Sequence, residues 1–126
     1  QARRARCSDS EGAQMRVLVT GASGFVGSHV VRCLLERHYT TFALLRSVGS
    51  SAALPRGATP VIGDIEDAES LRCAMAVSEC HVVINCAGVY AWWLGKDSLF
   101  ERVNVDGVRH LVDVLTACEP YPRPML

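Results

Sequence analysis

Three glycines at three-residue intervals limit what residues 16–27 can form. Residues 16–20 are a short apolar run with β-branched side chains, bounded by Gly21, and this composition is typical of a buried strand. From Gly24 onward, through Gly27, apolar residues recur with the period of one helix face. The sequence therefore predicts a strand, a glycine-rich turn and a helix in direct succession.

Each glycine has a distinct role in a turn of this kind. Gly21 permits a tight turn out of the strand, Gly24 leaves room for a pyrophosphate beside the backbone, and Gly27 lets the helix pack close to the sheet. Because a strand precedes the glycines and a helix follows them, the motif predicts a dinucleotide-binding turn rather than one that binds nothing. Backbone N–H groups at the helix N-terminus would point at the phosphates. The predicted contact residues are Gly21, Ser23, Gly24, Phe25, Val26 and Gly27.

The rest of the chain alternates between apolar runs and amphipathic segments. Further strands are predicted at 41–45, 60–63 and 82–87, with helices at 24–38, at 64–77, and from Asp97 or Ser98 to about Cys118. Residues 47–58 form a predicted loop with room for a helical turn. Strands that are apolar throughout imply a parallel sheet covered on both faces, and right-handed crossovers give it the order 3-2-1-4.

The predicted fold class is α/β: a Rossmann-type parallel sheet with helices on both faces, truncated after about four strands. These segments define one NAD(P)-binding Rossmann domain, its N-terminal half, over residues 15–118. The polar residues 1–14 are a predicted disordered tail. Residues 119–126 carry prolines at alternate positions and are predicted to be irregular.

The ends of the other strands supply further candidate contacts, because ligands of open α/β sheets bind outside the carboxyl ends of the strands. These candidates are Arg46, Asp64, Ile65, Cys86, Ala87 and Gly88. The small residues at 86–88 would admit a cofactor, although a plain strand end gives the same pattern. Asp64 is interpreted as an acceptor for the adenine amino group, with Ile65 against the ring; a helix cap is the competing role for Asp64, and it is compatible with the first.

Arg46 bears on the choice of dinucleotide. The end of the second strand meets the adenosine ribose in a Rossmann domain, where an acid binds the 2′-hydroxyl of NAD. A guanidinium suits a 2′-phosphate instead, because it makes bidentate, charge-assisted hydrogen bonds. The sequence therefore predicts NADP, with NAD as the alternative, and a solvated surface arginine is the competing interpretation.

Aromatic residues follow the fourth strand. Tyr90, Trp92 and Trp93 suit an apolar substrate wall or a partner surface, and core packing is an equal alternative. Asn104 lies within the last predicted helix, where a buried amide should bond the backbone of a neighbouring strand. We interpret Asn104 as structural support rather than as a catalytic group.

Composition excludes several classes of partner and site. Lys+Arg and Asp+Glu balance at 13 each, which argues against a nucleic-acid or anionic-membrane partner. The sequence has no apolar run near the roughly 18 residues of a membrane span. The six cysteines lack CxxC spacing and are interpreted as reduced thiols, and the four histidines lack metal-ligand spacing, so no metal site is predicted.

The compartment is predicted from the same features. Residues 1–14 lack the apolar region of a signal peptide, so the expected location is cytoplasmic. Arg3, Arg4 and Arg6 leave an organelle transit peptide as the alternative, which Asp9 and Glu11 weaken.

Five pieces of the sequence together resemble the extended short-chain dehydrogenase/reductase family. They are VTGASGFVGSHVV, the strand end at Arg46, GDIED, VVINCAG and FERVNVDGVRHLVDVL, within residues 15–118. Members of this family include dihydroflavonol reductases, 3β-hydroxysteroid dehydrogenases and nucleotide-sugar epimerases. The resemblance implies a parent enzyme that moves hydride between nicotinamide and a carbonyl/alcohol substrate. Arg46 favours the reductase-like branch, because NAD-dependent epimerases tend to carry an acid there.

The sequence departs from the family at the catalytic residues. Such enzymes carry a Tyr-x-x-x-Lys pair, whose tyrosine is the general acid/base. This sequence contains no such pair, and Lys96 is its only lysine, so no catalytic residue is predicted. We therefore expect the nucleotide-binding portion of an NADP-dependent reductase or dehydrogenase, inactive alone, whose parent takes a small-molecule substrate and forms a homodimer. The alternatives are a nucleotide-sugar epimerase/dehydratase, a non-catalytic dinucleotide-binding module and a mis-spliced product.

Overall fold

A computed structural model describes residues 14–90 and 97–117 of the chain. Its strands are β1 (Arg16–Thr20), β2 (Thr40–Leu45), β3 (Thr59–Ile62) and β4 (Val82–Asn85). They form one parallel sheet in the order β3-β2-β1-β4, which confirms the predicted topology. Val17 of β1 lies between Thr41 of β2 and Val82 of β4, so β1 is flanked on both sides.

Helices connect the strands and flank the sheet. They are α1 (Phe25–Glu36), α2 (Ala68–Ser78), α3 (Asp97–Glu101) and α4 (Gly107–Ala117), and a π-helical turn at Arg102–Asp106 joins α3 to α4. A 3₁₀ helix at Val48–Ala53 is the helical turn for which the predicted loop had room. None of the helices within residues 14–90 and 97–117 is long and apolar enough to cross a membrane.

The apolar strands bury side chains on both faces of the sheet. Val17 and Val19 of β1 pack with Val31 of α1 on one face. Leu18, between them, packs with Leu71 of α2 and Leu111 of α4 on the other face, in the larger of the two core clusters. Burying a leucine or valine fully contributes about 1.5–3 kcal/mol. Since β1 buries such side chains on both faces, helices on both sides of the sheet stabilise it.

Helix α2 begins later than the sequence predicts. The Asp67 side chain accepts hydrogen bonds from the N–H groups of Glu69 and Ser70, so Asp67 is the N-cap and the helix begins at Ala68. The Asp64 carboxylate instead accepts from Glu66 N–H at 2.9 Å in a local turn before the helix. The prediction of a helix from Asp64, and of Asp64 as its cap, is therefore wrong.

Smaller differences also have local causes. Helix α1 ends at Glu36 because His38 adopts the left-handed conformation, with φ of 62°, and the N–H of Tyr39 bonds the carbonyl of Leu34. Strand β4 ends at Asn85, where the chain leaves the ladder to approach Gly21.

Backbone segments approach closely at the glycine turn. Gly21 has φ of +62°, and a Cβ there would lie 2.6 Å from the Ala87 nitrogen. A Cβ on Gly27 would lie 2.0 Å from the Gly21 carbonyl oxygen. The predicted roles of these two glycines, a tight turn and close helix packing, are confirmed.

We predict that Gly27→Ala destabilises the chain by about 3 kcal/mol or more, because its Cβ must displace backbone at the end of β1. Gly49→Ala is the matched control, since a Cβ at Gly49 meets nothing within 4 Å. Its effect should stay within about 0.5 kcal/mol. Urea unfolding followed by circular dichroism measures both, and equal midpoints for the two variants would contradict the close approach.

Candidate functional site

A cavity of about 680 Å³ opens at the carboxyl edge of the sheet. It lies where the chain leaves β1 for one face of the sheet and β4 for the other, which is the switch point at which open α/β sheets bind ligands. All twelve contact residues predicted from the sequence line it, so the structure brings together every residue of that set. They come from four separate segments, at 21–27, 46, 64–65 and 86–88.

The ends of β1 and β4 are tied together at the base of this cavity. The Thr20 hydroxyl is fully buried and donates to the Asn85 carboxamide oxygen. The N–H of Ala87 is 3.3 Å from both of those oxygens, and the N–H of Cys86 donates to the Thr20 carbonyl. Thr20 was missed by the sequence analysis; its signal is a hydroxyl at the last position of an otherwise apolar strand.

The N-terminus of α1 faces the cavity. Gly24 is the N-cap residue, and it has no side chain to bond the first N–H groups of the helix. Such N–H groups at a helix start lack partners within the helix, and together with the helix dipole they attract an anion. Gly24 itself has an extended backbone, with φ of −78°, so its lack of a side chain is not required by its conformation.

A cationic side chain borders the cavity beyond β2. Arg46 is exposed, and no carboxylate within residues 14–90 and 97–117 forms an ion pair with it. Ser47 follows it in the chain, the Ser47 hydroxyl lies 3.4 Å from that of Ser50, and Ser50 also lines the cavity. An unpaired guanidinium can hold a phosphate group through charge-assisted hydrogen bonds.

The loop after β3 supplies one wall of the cavity. One carboxylate oxygen of Asp64 binds the Glu66 N–H, and the other has no partner among the described residues. Ile65 borders the cavity, but its side chain is only 7% exposed and lies mainly in the core against α2 and α4. The sequence placed Ile65 against a ligand and did not reveal this role in the core.

The segment after β4 supplies the opposite wall. Asn104, in the π-helical turn, accepts from the Val89 N–H and donates to the Val89 carbonyl, each at 2.9 Å. Asn104 thus bonds backbone as expected, but in the loop four residues beyond the end of β4 rather than in a strand. Tyr90 is exposed and lines the cavity, whereas Trp92, Trp93 and Lys96 lie outside the described residues.

Other cavity residues were also not predicted. Leu44, Leu45 and Gly63 lie next to predicted residues at strand ends, and this adjacency was the available signal. Glu66 likewise follows the predicted Ile65, whereas Leu99 and Val103 reach the cavity through the fold alone. Within the described ranges, the structure contains no cluster of three His, Cys, Asp or Glu side chains able to hold a metal ion.

Cys86 is the titratable thiol of the cavity. Burial raises the pKa of its thiol above the ordinary value of 9.0, because an apolar setting disfavours the thiolate. The Cys86 thiol is therefore protonated at neutral pH. Cys33 and Cys73, by contrast, are exposed free thiols on the helices.

The family of this chain follows from comparison with known proteins. Residues 17–122 match the model of the NAD dependent epimerase/dehydratase family, and the chain belongs to that family. It is thus a Rossmann-type member of the extended short-chain dehydrogenases/reductases, as its motifs indicated.

Individual relatives agree with this assignment. An uncharacterized protein of Schizosaccharomyces pombe is 44% identical over 89% of this chain and 36% of its own length. The 3 beta-hydroxysteroid dehydrogenase type 7 of Mus musculus is 36% identical over 76% of this chain and 28% of its own length. Among solved structures, the UDP-glucose 4-epimerase of Thermus thermophilus in complex with NAD superposes with a TM-score of 0.72 at 30% identity, over 79% of this chain and 33% of its own. The chain thus spans about a third of the length of these relatives.

We predict that iodoacetamide at neutral pH alkylates Cys33 and Cys73 faster than Cys86, because those two thiols are exposed and burial disfavours the reactive thiolate of Cys86. The rate at Cys86 should rise as the pH passes above 9.0, its ordinary pKa. Peptide mass spectrometry after timed labelling gives the rate at each cysteine. Labelling of Cys86 as fast as Cys33 would contradict its burial.

Proposed function

We propose that this chain binds NADP(H) in the cavity at the carboxyl edge of the sheet. The pyrophosphate lies on the glycine turn at 21–27, the adenosine ribose beside Arg46 and the adenine beside Asp64 and Ile65. The nicotinamide then extends past residues 86–88 toward Tyr90. Bound in this way, the nicotinamide supplies or accepts hydride, and the residues of this chain orient it.

The convergence of twelve predicted residues around one cavity carries this proposal. Three independent features of that cavity suit three parts of one ligand. The uncapped start of α1 suits a pyrophosphate, Arg46 suits a second phosphate, and the free oxygen of Asp64 suits an amino group. A dinucleotide phosphate is the ligand class that combines all three.

The choice of NADP over NAD depends on Arg46. An acid at this position would accept hydrogen bonds from the two ribose hydroxyls of NAD, and it would repel a 2′-phosphate. The exposed guanidinium of Arg46 accepts no hydrogen bond from those hydroxyls, and it attracts a 2′-phosphate. The hydroxyls of Ser47 and Ser50 add neutral donors beside it.

For the whole protein we propose hydride transfer between NADP(H) and a carbonyl/alcohol pair on a small molecule. The named relatives support this class, since one is a 3 beta-hydroxysteroid dehydrogenase. An epimerase acting on a nucleotide sugar is the second candidate, favoured by the superposition on a UDP-glucose 4-epimerase. Arg46 favours the first candidate, because the 2′-phosphate that a guanidinium suits is absent from NAD, the dinucleotide in that epimerase structure.

We predict that Arg46→Asp weakens NADP⁺ binding at least about tenfold and changes NAD⁺ binding by less than about threefold, because a charged hydrogen bond contributes roughly 1.5–3 kcal/mol. Arg56→Asp makes the same charge change at an exposed arginine that does not line the cavity, and it should leave both affinities unchanged. Isothermal titration calorimetry measures the affinities of the wild type and both variants for NADP⁺ and NAD⁺. Equal losses for NADP⁺ and NAD⁺ would refute the assignment of Arg46.

We predict that Gly24→Val abolishes dinucleotide binding while the fold is retained. A Cβ at Gly24 would lie 3.2 Å from the Gly21 carbonyl oxygen, a tight contact that a small backbone shift relieves, and the rest of the side chain would occupy the space proposed for the pyrophosphate. Ala76→Val, on the exposed face of α2, is the matched control and should bind normally. Calorimetry with NADP⁺ and circular dichroism test the two parts. A Gly24→Val variant that binds like the wild type would show that the phosphates lie elsewhere.

A further inference from the structure

One helical segment holds the loop that would meet the adenine. We call residues 64–66 the adenine-side loop, because Asp64, Ile65 and Glu66 all line the cavity next to Arg46. The segment that contacts this loop runs from Arg102 to His110, through the π-helical turn and into α4. Its contacts are with the Glu66 carboxylate and with the carbonyl and side chain of Ile65, and neither Gly107 nor His110 lines the cavity.

His110 holds the backbone of this loop. Its Nδ1 lies 2.9 Å from the carbonyl oxygen of Ile65, and the side chain is partly buried. A carbonyl oxygen only accepts hydrogen bonds, so Nδ1 carries the proton and His110 is the donor. The carbonyl of Ile65 is thereby fixed, and with it the peptide plane between Ile65 and Glu66.

Gly107 sets the position of the Ile65 side chain. A Cβ at Gly107 would lie 2.9 Å from Cγ1 of Ile65 and 3.2 Å from both its Cδ1 and Cγ2. Gly107 and Ile65 are both buried, so the isoleucine rests directly on the helix backbone. Any larger residue at 107 would push Ile65 toward the cavity.

The π-helical turn sets the rotation of α4 relative to the opposite wall. Each residue of an α-helix advances about 100° around the axis, so one extra residue in the turn rotates all that follows. Asn104 bonds Val89 on one wall, while Gly107 and His110 contact Ile65 on the other. The same helix therefore fixes both walls, and their separation depends on this turn.

We propose that His110 and Gly107 are positioning residues that set the affinity of the cavity for the adenine nucleotide half of its ligand. They would act through the Ile65 carbonyl and side chain and touch no ligand atom. This inference rests on the proposed dinucleotide function. The Arg102–Glu66 ion pair, at 2.8 Å, contributes less because both side chains are exposed to solvent to a substantial degree.

The first test replaces His110. His110→Leu keeps a similar volume without a donor, and it should weaken AMP binding about fivefold, as expected for one lost hydrogen bond. His110→Asn places an N–H donor the same number of bonds from Cβ as Nδ1, and it should restore the affinity to within about twofold. Inorganic pyrophosphate has no adenine to meet the adenine-side loop, so it should bind all three proteins equally.

The second test uses Gly107→Ala, which separates the position of Ile65 from the stability of α4. Alanine favours a helix more than glycine does, so α4 itself should not be weakened. The displaced Ile65 should nevertheless lower the AMP affinity about fivefold, with pyrophosphate binding unchanged. Arg109→Ala, on the exposed side of the same helix, is the control and should bind AMP like the wild type.

Calorimetry on the 126-residue chain and its variants, each checked by circular dichroism, decides the outcome. If His110→Leu is folded and binds AMP as tightly as the wild type, or loses pyrophosphate to the same extent, the positioning role is overturned. Failure of His110→Asn to restore AMP binding also overturns it. If His110→Leu does not fold, Gly107→Ala decides on the same criteria. A wild-type chain that binds neither NADP⁺ nor AMP overturns the proposed function, and the inference with it.

Discussion

The structure depends on the contact of three backbone segments without intervening side chains. The end of β1 turns at Gly21, the start of α1 crosses that turn at Gly27, and the end of β4 passes beside it at Cys86 and Ala87. A Cβ at Gly21 or Gly27 would overlap backbone, so these contacts tolerate no other residue. These contacts join the end of β1 to the start of α1 and to the end of β4. They therefore also define the base of the cavity.

The chemistry of the site follows from what this base leaves uncovered. Since Gly24 supplies no side chain, the dipole of α1 and its first N–H groups remain available to an anion. Charge is then distributed along the cavity, with the cation Arg46 on one side and the carboxylate of Asp64 on the next loop. Cys86, whose pKa is raised by burial, is neutral beside them. The cavity therefore presents two separate attractions for anions and one acceptor for a donor group.

Much of this was predictable, because strand order and the glycine turn depend on local patterns: apolar runs, helix periodicity and three glycines. The start of α2 was not, since Asp64 and Asp67 are both good caps and only the bonds from the Glu69 and Ser70 N–H groups to Asp67 show which one is used. Nor was the π-helical turn, since Asn104 bonds Val89, 15 residues away, which helix periodicity does not register. The sequence identified the lining of the cavity but not the support behind Ile65, because that support comes from Gly107 and His110 across the fold.

The all-parallel order of the sheet has a consequence for how the chain acquires its structure. A parallel pair cannot close through a tight hairpin, and the pair of β1 and β4 joins residues 65 positions apart. Closing so long a loop costs chain entropy before any strand contact compensates for it, which slows folding. During synthesis, the edge of β1 that pairs with β4 stays open until β4 has left the ribosome. Among the described strands, the open edge of β1 is therefore most vulnerable to aggregation before β4 emerges.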